Sequence, residues 1–396
     1  MARSFTHADV GIASALISAS SLLTMFSILG FSTGLIRFIP EMHADASRLN
    51  NGVFTFSSII AGIISIIYVL GLKYWAPALL FIRQNRMFSL LFIVFTIINL
   101  LYILLDQSFI AGRVAKYVFW KNMLAGIIKI PLPILLFASL HGFGIYAGVG
   151  FSMLIVTMLA LLFFMPKVYP GYSPRLVWAY DLVRTILPYS LTNYISNMLS
   201  NAPTYIYPLM ILNILGPEQN AFFYITWMMT MILTVIPGSM AQSLFAEGSH
   251  DGRTLVKNGK RALLTALTLT IPAVAVMWLL GGWLLHIFGQ AYATNGINVM
   301  KYLLLAMFPY CVNGFFMTVN QVRKQIGWIL VQTLILAMIS LGGGYVFVIR
   351  YGLKGIGMAY ALAQYVVTII IIIPLWMALT KNIDIEVIEA KTITTP

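Results

Sequence analysis

Long apolar segments, one after another along almost the whole chain, constrain this sequence more than any other feature. Eleven segments carry about 20 or more predominantly apolar residues, which is the length that a helix needs to cross the hydrocarbon core of a bilayer. They are residues 10–36, 52–72, 88–110, 118–140, 143–165, 186–214, 221–246, 262–288, 299–319, 327–349 and 355–379. The sequence therefore predicts an all-α polytopic membrane protein with about 11 transmembrane helices.

The scarcity of charge excludes the other broad classes of protein. Only 9% of the 396 residues are charged and 60% are hydrophobic, whereas about 25% are charged in an average soluble domain. A soluble enzyme could not bury so much apolar surface. Cys311 is the single cysteine, which excludes a disulfide scaffold, and the five histidines show no metal-ligand spacing. We therefore expect a transporter rather than an enzyme, without catalytic residues, metal or cofactor.

The net charge of +13 predicts how the chain is oriented in the membrane. Its charges lie in short clusters between the apolar segments, which is typical of loops at a membrane surface rather than of nucleic-acid binding. When the spans alternate in direction, sixteen basic residues fall on one side and seven on the other. The positive-inside rule predicts that the first side is cytoplasmic, so that the C-terminus lies inside, in the cytoplasmic membrane of the cell.

A short pattern occurs twice along the chain. Glu41 and Asn51-Gly52 follow the first span, and Glu247 and Asn258-Gly259 follow the seventh, at spacings of 206 and 207 residues. Spans one to five thereby pair with spans seven to eleven, and the sixth span opens the second half without a counterpart. Such a repeat is typical of transporters built from two related bundles.

This repeat predicts two parallel six-helix bundles, the first bundle being short by one helix. We expect an N-terminal helical bundle of five spans over residues 1–170. A C-terminal helical bundle of six spans follows over residues 171–396.

Three stretches of sequence resemble a known family of transporters. Residues 29–41, LGFSTGLIRFIPE, resemble the second-helix signature of the polysaccharide-biosynthesis flippases, which belong to the multidrug/oligosaccharidyl-lipid/polysaccharide exporter superfamily. Residues 236–251 resemble the matching stretch of the second half, and residues 187–190, LPYS, are similar to the start of the family's seventh helix. The resemblance covers nearly the whole chain, in order, without the family's first helix.

The resemblance implies a fold, a cargo and partners. The fold would be a V-shaped pair of lobes around a central cavity that opens alternately to each side of the membrane. The cargo would be an oligosaccharide linked through pyrophosphate to an undecaprenyl or dolichyl lipid. The expected partners are this polyprenyl-linked oligosaccharide, membrane lipids and other membrane proteins of glycan assembly, without nucleic acid, and the expected oligomeric state is a monomer.

One lysine lies in the middle of the fourth apolar segment. Lys129 is eleven residues from each end of 118–140, near the bilayer centre. A lysine there costs about 3 kcal/mol on insertion scales, so it normally faces a cavity or a partner. Because no acidic residue falls at that depth, we expect Lys129 to hold an anion in a wet cavity, with Asn122 on the same helix face and Lys121 nearer the cytoplasmic mouth. The alternative is a lysine that snorkels or hydrates the bend at the prolines that follow.

Two arginines are further candidates for contact with the substrate. Arg37 ends the first span, and the resemblance implies that it lines the cytoplasmic half of the cavity; the alternative is an ordinary positive-inside anchor. Arg184 opens the sixth span, three residues after Asp181. This spacing favours an ion pair between the two residues within the helix over a contact with the substrate.

A stripe of amides runs along the sixth span. Asn193, Asn197 and Asn201 recur every four residues, which places the three side chains on one helix face. An amide both donates and accepts hydrogen bonds and therefore suits sugar hydroxyls. The alternative is polar contact between neighbouring helices, which is a common role of asparagine in membranes.

Three functions are compatible with these features. A flippase would carry lipid-linked oligosaccharide by alternating access, because a cationic cavity suits an anionic pyrophosphate. A cation-coupled multidrug exporter of the same superfamily would need a membrane-buried carboxylate, and Asp106 comes closest to that description. A membrane glycosyltransferase is the least favoured, because it would need acidic residues at the membrane surface for metal binding or base catalysis, usually on larger loops.

Overall fold

The computed structural model of the protein describes residues 5–42, 45–250, 252–323 and 325–380, with the side chains of 137–139, 188–189, 192–193, 246–250, 252–257 and 380 left out. These residues form α-helices with short 3-10 and π-helical segments, and no strand is present among them. The protein is therefore all-α, as predicted.

The first compact unit extends to Ala221 and the second begins at Phe222. The helices of the first unit are α1 His7–Ile28, α2 Phe31–Glu41, α3 Ala46–Leu70, α4 Leu72–Trp75, α5 Phe81–Gln84, α6 Arg86–Ala111, α7 Ala115–Ile128, α8 Pro131–Leu159, α9 Met165–Val168 and α10 Tyr180–Leu215, followed by the start of α11 Pro217–Met231. The second unit contains the rest of α11 and α12 Val235–His250, α13 Gly252–Phe288, α14 Gln290–Leu305, α15 Met307–Val322, α16 Ile326–Ala337, α17 Gly343–Tyr351 and α18 Leu353–Thr380.

Most of the predicted spans are present as helices of sufficient length and hydropathy. Nine spans pass this test among the described residues, and α14 with α15, bent by 42°, forms a tenth if the pair counts as one. These ten coincide with ten of the eleven predicted segments. The eleventh segment, 186–214, lies in α10, a continuous helix of 36 residues that is not among the ten. The multi-pass membrane architecture is therefore confirmed, whereas the count of eleven is not.

The first span is broken into two helices at a pair of left-handed residues. Leu29 and Gly30 have φ angles of 48° and 75°, so that α1 ends and α2 begins at a sharp turn. A Cβ on Gly30 would lie 2.0 Å from the carbonyl oxygen of Ser190 on α10. Glycine is therefore required here by the backbone conformation and also by the close approach of α10.

Packing of α10 determines where the first unit ends. This helix contacts α1, α2 and α3, and Val183 and Ile186 on α10 belong to a buried cluster that also contains Phe31, Leu35 and Leu49. The contact boundary at Ala221 differs from the boundary after residue 170 that the repeat predicts, because α10, the opening helix of the second repeat, packs with helices of the first. The boundary after residue 170 concerns the sequence repeat, and it stays a prediction.

Buried amides join three helices of the second unit. Asn313 on α15 donates through Nδ2 to Oε1 of Gln364 on α18 at 2.6 Å, and its Oδ1 accepts from the hydroxyl of Thr368 at 2.9 Å. Gln332 on α16 donates to the carbonyl oxygen of Asn313 at 2.8 Å. The three amide side chains are buried, which is typical of the polar contacts that hold membrane helices together.

Candidate functional site

A cavity of about 280 Å³ with a mixed, largely apolar lining lies within the first unit. Its walls come from α1, the start of α2, one residue of α6, and α10. The lining residues are Ser21, Thr24, Met25, Ile28, Gly30, Ser32, Thr33, Ile103, Tyr194, Asn197, Met198, Asn201 and Tyr205. These side chains offer hydroxyls, amides and apolar surface, and none of them is an acid, lysine, arginine or histidine.

Two of the three predicted amides line this cavity. Asn197 and Asn201 lie one helical turn apart on α10, and both are exposed to the cavity side of the helix. Asn201 donates through Nδ2 to the backbone carbonyl of Asn197 at 2.8 Å, which holds one side chain along the helix axis. The side chain of Asn193 lies outside the described side chains, so its place on the same face stays a prediction.

The break between α1 and α2 borders the cavity. Gly30 is the N-cap of α2 and supplies no side-chain cap, and Ser32 and Thr33 in the first turn contribute to the lining. The Thr33 hydroxyl donates to the Gly30 carbonyl at 2.9 Å. The backbone N–H groups of Thr33 and Gly34 also donate to the Gly30 carbonyl, at 3.0 and 3.4 Å, so the turn at Gly30 is held by several hydrogen bonds.

A second polar cluster lies between α6 and α7 and contains two of the predicted site residues. Lys121 is completely buried, and its ammonium is 3.2 Å from Oδ1 of Asp106. The ammonium also donates to the carbonyl of Tyr102 at 3.1 Å and to Oδ1 of Asn122 at 3.3 Å. Asn122 in turn accepts from the Tyr102 hydroxyl and donates to Oδ2 of Asp106 at 3.5 Å.

This network holds Lys121 within the protein. Its ammonium makes two hydrogen bonds and one ion pair. The ring of Tyr102 lies beside the same ammonium. Lys121 and Asn122 are thus engaged with protein groups, and Asp106 is the residue that sequence reasoning missed as their partner. Its position in α6, opposite a lysine on the next helix, was the available signal, because a charge within an apolar helix normally has a partner.

Lys129 is placed differently from Lys121. It is the C-cap of α7, two residues before Pro131, the first residue of α8. Residues Ala115–Leu136 form one span across this point, and the kink of α8 lies further along, at His141. Its side chain is half-buried, and its ammonium makes no hydrogen bond or ion pair with any residue that the structure describes. Lys116 and Lys121 lie within α7, and Lys129 is the C-cap of that helix. Binding of an anionic ligand by Lys129 stays a prediction.

The two candidate arginines lie on exposed surface. Arg37 is 3.9 Å from Glu41, four residues further along α2, with about half of its side chain exposed. Arg184 is exposed and forms no ion pair within the described part of the chain. The expected ion pair between Arg184 and Asp181 is wrong, because Arg48 of α3 reaches Asp181 instead, at 3.1 Å. Contact of either arginine with a substrate stays a prediction.

These features together define a multi-pass membrane protein with polar and charged groups inside an apolar helix bundle. No protein-family model matches the chain. Over 117 residues the chain is 26% identical to a putative O-antigen transporter of Shigella flexneri, a match that covers 29% of this chain and 28% of that relative.

Solved structures show the same fold over nearly the whole chain. An inward-facing multidrug resistance MATE family transporter of the MOP superfamily has a TM-score of 0.69 at 17% identity, covering 94% of this chain and 93% of that one. The lipid II flippase MurJ, in an inward closed conformation, has a TM-score of 0.71 at 12% identity, covering 94% and 82%. The chain therefore has the fold of MOP superfamily transporters, and the predicted resemblance is confirmed at that level. Each of these three similar proteins is a transporter or flippase.

Proposed function

We propose that the protein is a flippase that translocates a lipid-linked oligosaccharide across the cytoplasmic membrane for the synthesis of a cell-surface polysaccharide. The observation that carries this proposal is the uncharged cavity of the first unit, whose largely apolar wall carries amides and hydroxyls. Its amides and hydroxyls match sugar hydroxyls, which both donate and accept hydrogen bonds. Met25, Ile28 and Met198 add apolar surface for the C–H faces of a sugar ring.

Lys129 supports the anionic part of the proposed cargo. A polyprenyl pyrophosphate carries negative charge, and an unpaired lysine in an apolar segment offsets that charge without the cost of separating an existing ion pair. Binding by one free cation also leaves the headgroup able to dissociate, which transport requires. Alternating access and a cytoplasmic C-terminus complete the proposal.

The test is a reconstitution assay in vesicles that contain a polyprenyl-pyrophosphate oligosaccharide. Transport is read as the fraction of glycan that becomes accessible to, or protected from, an external glycosidase. The variant Asn197→Leu/Asn201→Leu removes two amides worth about 1 kcal/mol each, so we expect transport to fall about thirtyfold. Asn295→Leu is the matched control, because Asn295 is also exposed and donates to the carbonyl four residues earlier at 2.9 Å. Equal rates for all three proteins would refute the proposal.

A second candidate function is a cation-coupled multidrug exporter of the same superfamily. The observation in its favour is Asp106, a carboxylate within α6 whose side chain is only 19% exposed. Against it, the charge of Asp106 is already neutralised by Lys121. Efflux of a cationic drug from the same vesicles, without movement of the lipid-linked glycan, would reverse the order of the two proposals.

A further inference from the structure

A groove of about 440 Å³ runs along one face of α13 in the second unit. Lys260 and Arg261 stand at its start, and hydroxyls and leucines follow one and two helical turns further along. The lining residues are Lys260, Arg261, Leu264, Thr265, Thr268 and Leu269. Positions separated by four and eight residues share a helix face, so the groove combines two cations with a strip of hydroxyl and apolar groups.

The second helix beside this groove is α18. The ammonium of Lys260 lies 4.9 Å from the centroid of the Trp376 ring, and 57% of Trp376 is exposed. Near the same point a Cβ on Gly259 would approach Leu379 to 2.5 Å, so the two helices pack closely here. Neither Lys260 nor Arg261 forms an ion pair with a described carboxylate. Two cations without an acidic partner among the described side chains therefore lie beside an exposed tryptophan.

The internal repeat provides a comparison within the same chain. Asn51-Gly52 corresponds to Asn258-Gly259, and the next two residues of the first copy are Val53 and Phe54. Both are buried, with 0% and 6% exposure, in the core of the first unit. The helix thus folds with apolar residues at these positions in one copy, whereas the other copy presents Lys260 and Arg261 on its surface. Packing of the helix does not account for the two charges.

We propose that this face of α13 binds the phosphate headgroup of an anionic membrane lipid, with a hydrocarbon chain along Leu264 and Leu269. Arginine pairs with phosphate through two parallel hydrogen bonds, and lysine adds a point charge. The exposed hydroxyl of Thr265 adds a donor one turn deeper, and tryptophan prefers the headgroup level of a bilayer. The positive-inside topology places this end of α13 at the cytoplasmic surface. The site does not depend on which cargo the protein carries.

The experiment compares lipid retention by variants. The whole protein is reconstituted in nanodiscs of equimolar phosphatidylglycerol and phosphatidylcholine, and the lipids that stay bound on release are counted by native mass spectrometry. Each cation near a membrane surface contributes about 1 kcal/mol, so Lys260→Ala/Arg261→Ala should retain phosphatidylglycerol about thirtyfold less than the unaltered protein. Lys167→Ala/Arg175→Ala is the matched control, because it removes two exposed cations that the topology places on the same side of the membrane. We expect this control to retain the lipid.

Four outcomes would overturn the proposal. Equal loss in the two double variants would show general attraction to a charged surface, and equal retention in all proteins would show that the groove holds no anionic lipid. Displacement of the lipid by millimolar inorganic phosphate would indicate a site for the free anion instead. Retention of phosphatidylcholine in place of phosphatidylglycerol would show a groove that selects the hydrocarbon chain. An unchanged thermal unfolding midpoint shows that the variants are folded, as expected for two exposed side chains.

Discussion

The ion pair between Asp106 and Lys121 gives the sharpest test of the structure. Its two charges are 3.2 Å apart inside an apolar bundle, with 0% exposure for the lysine side chain and 19% for the aspartate. Removal of one partner leaves the other charge buried and uncompensated, which costs about 3 to 5 kcal/mol for a buried pair. Because Asp106 retains some exposure, we expect Asp106→Asn and Lys121→Met each to cost about 3 kcal/mol in the free energy of unfolding.

The double variant separates the ion pair from ordinary packing. Asp106→Asn/Lys121→Met removes both charges and keeps the side chains at similar volume, so we expect it to cost about 1 kcal/mol, less than either single change. The assay is the unfolding of the detergent-solubilised protein, followed by thermal or denaturant titration. A double variant whose cost equals the sum of the two single costs would refute the claim that these charges are coupled.

An exposed ion pair in the same unit is the matched control. Arg48 and Asp181 are 3.1 Å apart, almost the same separation as the buried pair, but their side chains are 50% and 58% exposed. Solvent screens such a pair, so Asp181→Asn should cost less than about 1 kcal/mol. Equal costs for Asp106→Asn and Asp181→Asn would show that burial of the α6–α7 pair does not matter.

Three further predictions follow from the site and the packing. Lys129→Ala should lower glycan transport in reconstituted vesicles about tenfold, because one charge-assisted contact with the substrate is lost, and Lys129→Arg should keep part of the rate. Equal transport by Lys129→Ala and by the unaltered protein would contradict the anion-binding role of Lys129. Gly30→Ala should destabilise the protein by about 2 to 4 kcal/mol, because the φ angle of Gly30 is positive and the new Cβ would overlap a carbonyl of α10. The control in the same thermal assay is Gly314→Ala, because a Cβ on Gly314 meets nothing within 4 Å. Asn313→Leu should cost about 2 kcal/mol by leaving the buried amide of Gln364 without its donor, and an unchanged unfolding midpoint would show that the amide network does not stabilise the second unit.

The amide stripe on α10 is a feature that a local sequence pattern predicts only in part. Its spacing of four residues is a property of any α-helix, so the sequence alone places Asn197 and Asn201 on one face. The structure shows that this face lines a cavity, and that the opposite wall of the cavity comes from α1 and from the first turn of α2. These residues precede the stripe by more than 160 positions in the chain, and no local pattern connects them.

The partners of the ion pairs could not be predicted from spacing along the chain. Spacing within a helix favours Arg184 as the partner of Asp181, but Arg48 from another helix takes that place. Lys121 and Asp106 likewise meet only because α6 and α7 pack side by side. An ion pair depends on which helix faces are in contact, and a sequence contains that information only indirectly.

The sequence by itself determined the multi-pass membrane architecture and the all-α class, though not the exact number of spans. The reason is that a bilayer of fixed thickness accepts only helices of sufficient length whose backbone hydrogen bonds are made internally. Only the tertiary structure decided that α10 packs with the first unit and that Lys121, rather than Lys129, is neutralised by Asp106. The physical reason is that lipid is as apolar as the helices are. Hydropathy therefore determines that a helix lies in the membrane, whereas close packing and polar contacts determine which helices it contacts.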